Sequence, residues 1–145
     1  MKMVEIEKEW ERDCHIDQAL LDEESSNTHG LHCKYNIFLN EETKVFIKLG
    51  SEYDKLKLDK YEYYDNSLDK EILEKRGWKP FGLKLIKTKI PMYVDGDDEI
   101  ISMKMKIDIQ KQKIDFLKSI VNQINNRSFI IRNVIEWRKF TSGVN

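Results

Sequence analysis

The stretch that decides the fold is "DDEIISMKMKIDIQKQKIDFLKSIVNQINNRSFIIRNVIEWRKF", residues 97–140. Its apolar side chains recur at alternating spacings of four and three residues, which is typical of a coiled-coil helix. The stripe, polar only at Gln110 and Ser128, comprises Ile100, Met103, Ile107, Gln110, Ile114, Leu117, Val121, Ile124, Ser128, Ile131 and Ile135. With a rise of about 1.5 Å per residue, this helix would extend on the order of 60 Å. We therefore expect helices of this chain, of other subunits, or of both to cover the stripe.

The end of this helix carries a wider apolar arc that includes two arginines, Arg127 and Arg138. On a helical wheel the arc covers roughly 160°, which predicts neighbours on two sides. An arginine in such an arc needs a carboxylate, a phosphate or an exit to solvent, and we favour an ion pair between subunits over a DNA contact. The predicted oligomerisation residues are Ile114, Leu117, Val121, Ile124, Ile131, Val134, Ile135 and Trp137.

The composition favours long, solvated helices over a thick globule. The chain is 40% hydrophobic and 35% charged, with six glycines and two prolines among 145 residues. We predict a mainly α fold of long antiparallel or coiled-coil helices with a short irregular or β-like connector. The expected segments of this single domain, residues 1–145, are acidic N-terminal helices (1–28), central helices (31–76), a basic connector (77–95) and an oligomerisation helix (96–140).

The connector differs in composition from the rest of the chain. "GWKPFGLKLIKTKIPMYVDGDD" holds both prolines and three of the six glycines, and we expect one or two short strands within residues 83–94. Lys84, Lys87 and Lys89 follow the aromatic residues Trp78 and Phe81, with no acidic residue before position 95. This basic–aromatic patch is consistent with nucleic-acid binding and equally with a solubilising connector.

The net charge of −1 conceals an asymmetry between the two halves of the sequence. Residues 1–78 carry 12 basic and 19 acidic side chains (−7), whereas residues 79–145 carry 13 and 7 (+6). This division suggests an acidic surface for one partner and a basic surface for another, such as nucleic acid, although solvated helix faces give the same pattern. The acidic start "MKMVEIEKEWERD" lacks the apolar core of a signal peptide, and no apolar run is long enough to span a membrane, so we expect a cytoplasmic protein.

The sequence contains no recognisable catalytic motif, so we expect neither an enzyme nor a cofactor. In "GWKPFGLK" a leucine, Leu83, stands where a phosphate-binding loop requires lysine. The acidic run "DGDDE" does not follow the order of a calcium loop and is explained by the start of a helix.

A metal site near the N-terminus is an open alternative. All the cysteines and histidines, namely Cys14, His15, His29, His32 and Cys33, lie within 20 residues. Their spacings do not match the usual zinc-ligand pairs, and free thiols with surface histidines are the default expectation. A metal-binding regulator is therefore a third, weaker hypothesis.

The segment "YDKLKLDKYEYY", residues 53–64, interleaves cations with aromatic rings. Lysines attract phosphates and aromatic rings can stack on unpaired bases. On a helical wheel Lys57, Lys60, Tyr61 and Tyr64 share one side, which predicts a nucleic-acid contact. Acidic neighbours dilute the charge, so from composition alone a helix with mixed surface charge is the favoured alternative.

Four stretches together resemble the UvsY-type recombination mediator proteins of T-even-like bacteriophages. They are "IDQALLDEESSNTHGLHCKYNIFLNEE", "YEYY", "GWKPFGLKLIKTKIPMYVDGDDEI" and "NNRSFIIRNVIEWRKFTSG". They cover most of the chain, and their order and the WRKFTSG-like ending are specific.

The resemblance implies a non-enzymatic protein in the cytoplasm of an infected bacterial host. It implies binding to single-stranded DNA and loading of a UvsX-type recombinase in place of the phage single-stranded-DNA-binding protein. It also implies a ring-like homo-oligomer, roughly a hexamer or heptamer, formed through the C-terminal part. The alternative is a coiled-coil scaffold or assembly protein without direct DNA binding.

The resemblance also implies a DNA-binding motif of basic residues followed by an acid and two aromatic residues. Here "KLDK" followed by "YEYY" allows only Lys57 and Lys60 to be carried over, with Asp59 between them. We expect the connector lysines Lys84, Lys87 and Lys89 to compensate.

Overall fold

A computed structural model of the chain describes residues 1–143, which form helices joined by loops, with no β-strand among them. The predicted mainly α fold is thus confirmed. The elements in chain order are α1 (Met3–Asp13), α2 (Leu21–Ser26), α3 (Thr28–Tyr64), α4 (Lys70–Arg76), a 3-10 turn (Lys87–Lys89), α5 (Ile90–Asp95) and α6 (Asp98–Ser142).

The described residues divide into two compact units. Unit 1 combines residues 1–44 with the chain from residue 112 onward, and unit 2 is Val45–Lys111. The long helices α3 and α6 each contribute residues to both units.

Unit 1 has a core of aliphatic side chains around one buried tyrosine. Ile6 from α1 and Tyr35 from α3 are completely buried against the α6 residues Leu117, Ile120 and Ile124. The Tyr35 ring is 5.3 Å from that of Trp10 in an edge-to-face pair, a favourable geometry for aromatic rings. The apolar spacing of α1 therefore buries one side of that helix, while its acidic residues remain at the surface.

The apolar stripe of α6 is covered by the chain itself over most of its length. Every stripe position from Ile100 to Ile131 is buried or half-buried except Ser128. Four of the predicted oligomerisation residues are instead buried within their own chain, and the prediction is corrected for them. They are Ile114, Leu117, Ile124 and Ile131. Leu117 and Ile124 pack in unit 1 against side chains of α1 and α3, so their apolar surface is already used within one chain.

The two arginines of the apolar arc also find partners within the chain. The Arg127 guanidinium is 4% exposed and pairs with the carboxylate of Glu24 at α2. Arg138 donates a hydrogen bond to the backbone carbonyl of Gln18 at 2.5 Å. The expectation of an ion pair between subunits is therefore wrong for Arg127, whose carboxylate comes from the same polypeptide.

The strand expected within residues 83–94 is not formed, and helix α5 occupies its second half. A proline lies in the first turn of α5, where its fixed φ suits a helix and its missing N–H is harmless. Ile90 and Val94, four residues apart, are both buried. The composition of this short apolar run favours a strand, whereas the four-residue spacing of its buried side chains favours a helix. The structure follows the spacing.

Helix ends in unit 2 follow the local chemistry of the sequence. Gly77 closes α4 with a left-handed φ of 73°, a conformation that is usual for glycine at the end of a helix. Asp97 begins α6 by accepting hydrogen bonds from the backbone N–H groups of Glu99 (2.9 Å) and Ile100 (3.4 Å). The acidic run before α6 thus acts as a helix start, as expected.

Candidate nucleic-acid interface

The predicted basic–aromatic segment forms the last three turns of α3, in unit 2. Leu56 anchors this part of the helix, since it is 4% exposed and belongs to a core with Ile90, Val94 and Ile100. The burial of Leu56 determines which way the neighbouring lysines and tyrosines point.

Lys57 and Tyr61 lie on the solvent side of α3. Both side chains are exposed, Tyr61 at 40%. Within residues 1–143 neither side chain makes an ion pair or a ring contact, so the ammonium and the phenol are free to meet a ligand. These two residues lie where the sequence predicts a nucleic-acid contact.

Lys60 is only 4% exposed and has protein partners on all sides. Its Nζ lies 3.1 Å from Asp97 Oδ2 and 3.7 Å from Glu99 Oε1. The same ammonium sits 3.8 Å from the centre of the Trp78 ring, a cation–π contact. Because its charge is neutralised inside unit 2, the predicted phosphate contact at Lys60 is corrected to a structural ion pair.

Tyr64 belongs to the same buried network. Its hydroxyl donates a hydrogen bond of 2.7 Å to Asp97 Oδ2. Burial raises the pKa of Tyr64, and the nearby Asp97 carboxylate raises this pKa further. Burial also acts to raise the pKa of Asp97, but hydrogen bonds from Tyr64 and Lys60 outweigh it and hold this pKa below its ordinary value. The Asp97 side chain is therefore a charged carboxylate that connects the end of α3 to the start of α6 through its hydrogen bonds.

An aromatic cluster fills the space beside this network. Five rings, with centroids 4.9 to 6.1 Å apart in successive contacts, pack edge-on or tilted. They are Tyr63, Tyr64, Trp78, Phe81 and Tyr93. Trp78 and Phe81, which the sequence grouped with the connector lysines, thus pack against α3 rather than forming an open platform for bases.

The irregular part of the connector is attached to the end of α3 by polar contacts. The Tyr63 hydroxyl donates to the backbone carbonyl of Lys79 at 2.7 Å, and Asn66 Nδ2 donates to that of Leu83 at 2.6 Å. Gly82 returns a hydrogen bond from its N–H to Asn66 Oδ1 at 3.3 Å. These contacts hold the basic connector on unit 2 without help from regular secondary structure.

Lys84, Lys87 and Lys89 project from this connector as exposed side chains. None of the three forms an ion pair with any residue in the described range 1–143. Together with Lys57 they give unit 2 four exposed ammonium groups that are not neutralised by the protein. Each of these ammonium groups is therefore available to an anionic ligand.

The sequence did not identify the acidic partners of Lys60, although a signal was present. The acidic run before α6 needs counter-charges, and the lysine-rich segment 53–64 could supply one, but the sequence does not single out Lys60 among its lysines. The sequence also missed two exposed aromatic residues near the end of α6, Phe129 (57%) and Phe140 (78%). Phe140 stacks on Trp137 with ring centres 5.9 Å apart.

Two further sequence observations bear on other ligands. Cys14 and Cys33 are free, exposed thiols. Within residues 1–143 no group of three or more histidine, cysteine or acidic side chains is arranged to hold a metal ion. In the same range, the helices lack any apolar stretch of the length needed to traverse a lipid bilayer.

Comparisons with known proteins agree with the helical architecture. The chain is similar to crystal structures of the bacteriophage T4 recombination mediator protein UvsY. One matches with a TM-score of 0.79 and 16% identity over 98% of both chains, and another with a TM-score of 0.81 and 17% identity over 94% of this chain and 98% of the other. At such low identity the likeness establishes the fold.

The family comparison covers nearly the whole sequence. No curated protein matches the chain. The family model described as "Recombination, repair and ssDNA binding protein UvsY" matches residues 9–144. The chain therefore belongs to the UvsY family of recombination, repair and single-stranded-DNA-binding proteins.

Proposed function

We propose that this recombination mediator binds single-stranded DNA and promotes loading of a UvsX-type recombinase onto strands covered by the phage single-stranded-DNA-binding protein. The setting would be recombination-dependent replication and repair in the cytoplasm of the infected host. The observation that carries the proposal is that Lys57, Lys84, Lys87 and Lys89 of unit 2 are exposed and have no ion-pair partner in the described chain, which belongs to a single-stranded-DNA-binding family.

The proposed DNA contact uses the exposed residues of unit 2, namely Lys57, Tyr61, Lys84, Lys87 and Lys89. The ammonium groups neutralise phosphates, and the half-exposed Tyr61 ring offers a face on which a base can stack. Lys60 and Tyr64 support this surface from beneath, because they fix the end of α3 to the start of α6 through Asp97.

We further propose that copies of the chain assemble through the solvent-facing side of the end of α6. The four large side chains exposed there, at 48 to 78%, are Phe129, Ile130, Trp137 and Phe140. Surface of this kind is typical of protein contacts. Ile135 at 37% and the half-buried Val121 and Val134 border the buried side and supplement it. The resemblance implies roughly six or seven copies.

Assembly would convert a weak contact into a strong one. A few cations on one chain bind a single strand weakly and with a shallow dependence on salt. Once one copy on an assembly has bound, the next contacts are intramolecular, so avidity rises without new chemistry. A strand held by several copies is also displaced from its covering protein at several points.

The acidic N-terminal helices are the proposed contact for the recombinase. Their carboxylates at the surface include those of Glu5, Glu7, Glu11, Asp22 and Glu23. A negative surface repels DNA and leaves this end of the chain available to a protein. Reversing Glu7 and Glu11 to lysine should reduce recombinase recruitment and leave oligonucleotide binding at least as tight.

The DNA contact is tested by titrating labelled oligo-dT with the protein at increasing salt. We expect the combined change Lys84→Ala, Lys87→Ala and Lys89→Ala to weaken binding by at least about tenfold. Lys118→Ala, an exposed lysine of unit 1, is the matched control and should bind as the unaltered protein does. Unaltered protein that fails to bind oligo-dT would favour the scaffold alternative.

The assembly proposal has a separate test. Trp137→Asp with Phe140→Asp places charge on the exposed aromatic pair and should dissociate the assembly in light scattering. Oligo-dT affinity should fall with it, because avidity is lost. A dissociated variant that retained full affinity would contradict the multivalent mechanism.

A further inference from the structure

Unit 2 contains a cavity that the proposed DNA contact does not use. It has a volume of about 450 Å³ and is bounded by α3, α4 and one side chain of α6. Cavities of this size accommodate one or two side chains or a small ligand. Because all its walls belong to unit 2, it is a feature of one compact body.

The floor of the cavity is aliphatic. Leu56 is buried, Met103 is half-buried and Ile72 is 36% exposed at the opening. A methionine can adjust its shape to different apolar partners. The floor is therefore suited to one large apolar side chain.

The rim of the cavity is charged and unevenly neutralised. Arg76 donates two hydrogen bonds to Asp59 Oδ2, from Nε at 3.1 Å and from Nη2 at 2.7 Å. This ion pair cancels both charges. Lys55 and Lys75 make no ion pair within residues 1–143, and only the carboxylate of Glu52 offsets them at the rim. This side of the cavity thus keeps a net positive charge.

The neighbouring end of the same groove has the opposite charge. A second cavity of about 350 Å³ shares Leu56, Arg76 and Met103 with the first and is bordered by two carboxylates, Asp98 and Glu99, and by one lysine, Lys106. The groove consequently has an excess of ammonium groups at one end, where Lys55 and Lys75 face Glu52, and an excess of carboxylates at the other, where Asp98 and Glu99 face Lys106. Such an arrangement selects both the composition and the direction of a bound chain.

These features argue against a nucleic-acid strand as the occupant. None of the side chains that line the main cavity is aromatic, so a base would find no stacking partner. A strand carries a phosphate at every nucleotide and would bring negative charge next to Asp98 and Glu99. A peptide can instead vary its charge from one residue to the next.

We propose that this groove binds a peptide segment of a partner protein. The segment places a large apolar side chain on the floor formed by Leu56, Ile72 and Met103. An acidic residue on one side of it faces Lys55 and Lys75, and a neutral or basic residue on the other side faces Asp98 and Glu99. The inference rests on the proposed mediator function for the existence of a protein partner, but it is independent of the DNA contact.

The probe for this groove is a fluorescein-labelled dodecapeptide with aspartates before a Leu-Phe pair and lysines after it. Fluorescence anisotropy should show binding to the full-length protein. Two control peptides, one with alanines replacing Leu-Phe and one with asparagines replacing the aspartates, should each bind at least about tenfold more weakly. Equal binding of all three peptides would overturn the proposal.

Variants of the rim and the floor locate the peptide. Lys55→Glu with Lys75→Glu should weaken peptide binding by about tenfold or more. Lys70→Glu, an exposed lysine of α4 outside the cavity, is the matched control and should have no effect. Ile72→Ser should weaken binding through the apolar contact alone, and circular dichroism verifies that each variant is folded. Unchanged peptide binding in folded rim and floor variants would refute the site.

Oligo-dT binding by the same proteins separates this inference from the proposed function. We expect oligo-dT neither to displace the peptide nor to lose affinity through Ile72→Ser. Displacement of the peptide by oligo-dT, with weaker oligo-dT binding in the floor variant, would identify the groove as a nucleotide site and overturn the proposal. Unaltered protein that binds oligo-dT but not the peptide refutes only the groove, whereas unaltered protein that binds the peptide but not oligo-dT refutes only the DNA contact.

Discussion

The two sides of the last turns of α3 carry the same residue types and have different roles. Lys57 and Tyr61 face solvent without protein partners in the described chain, whereas Lys60 and Tyr64 both bind the carboxylate of Asp97. The two pairs have the same chemistry, and they differ in whether the side chains face solvent or a carboxylate of the protein. A lysine next to a buried carboxylate stabilises the fold, and a lysine without one remains available to a phosphate.

The largest expected effect comes from removing the buried cation. Lys60→Met leaves Asp97 in a largely buried position without its ion-pair partner, so we expect a loss of about 3 kcal/mol in the free energy of unfolding. Urea unfolding followed by circular dichroism measures it. A loss below about 1 kcal/mol would mean that Lys60 is not a structural residue.

The second effect concerns the acid side of the same pair. Asp97→Asn removes the charge that Lys60 and Tyr64 bind, and should cost about 2 kcal/mol at neutral pH. The folded-state pKa of Asp97 is lowered, so its stabilisation is complete above its ordinary pKa and is lost as pH falls through the folded value.

The stability difference between the unaltered protein and Asp97→Asn should therefore shrink as the pH is lowered below about 4. Denaturant unfolding at a series of pH values provides the measurement. Asp13 also has a lowered pKa, since hydrogen bonds from Lys34, Tyr35 and Arg12 together outweigh its burial, and it contributes equally to both proteins. A constant difference across this pH range would show that Asp97 is not charged in the folded state.

A smaller effect distinguishes the two tyrosines. Tyr64→Phe loses the hydrogen bond to Asp97 and should reduce the free energy of unfolding by about 1 kcal/mol. Tyr61→Phe removes a hydroxyl with no protein partner within residues 1–143 and should leave stability unchanged. Thermal unfolding of the two variants side by side tests this, and equal losses would contradict the division between the two sides of α3.

Among the lysine variants, the smallest expected change in stability is at Lys57. Because its side chain is exposed and has no ion-pair partner in the described chain, Lys57→Ala should alter the free energy of unfolding by less than about 0.5 kcal/mol. The same urea experiment used for Lys60→Met measures it. A loss comparable to that of Lys60→Met would remove the distinction between the two lysines.

The sequence predicted those features that depend on spacing along one helix. The α6 stripe and the acidic start of that helix follow from local rules and are present. The sequence could not show which side chains from elsewhere in the chain pack against a given face of a helix. The carboxylates of Glu24 and Asp97, which take up Arg127 and Lys60, are distant in sequence from the cations they bind.

The same limit explains the predicted oligomerisation residues. A helical stripe shows that apolar residues need cover, but it does not say whether the cover comes from the same chain. Ile124 and Ile131 are covered by their own chain, whereas Phe129 and Phe140, outside the stripe, remain exposed. Acidic substitutions at Ile124 or Ile131 would consequently unfold unit 1 rather than only separate subunits.

The most direct test of the division between the two lysines is the salt dependence of oligo-dT binding, compared for Lys57→Ala and Lys60→Met under conditions where both remain folded. We predict that Lys57→Ala reduces the slope of log affinity against log salt by about 0.7 for each phosphate that the variant no longer neutralises, and that Lys60→Met leaves the slope unchanged. A reduced slope for Lys60→Met, with an unchanged slope for Lys57→Ala, would contradict this assignment.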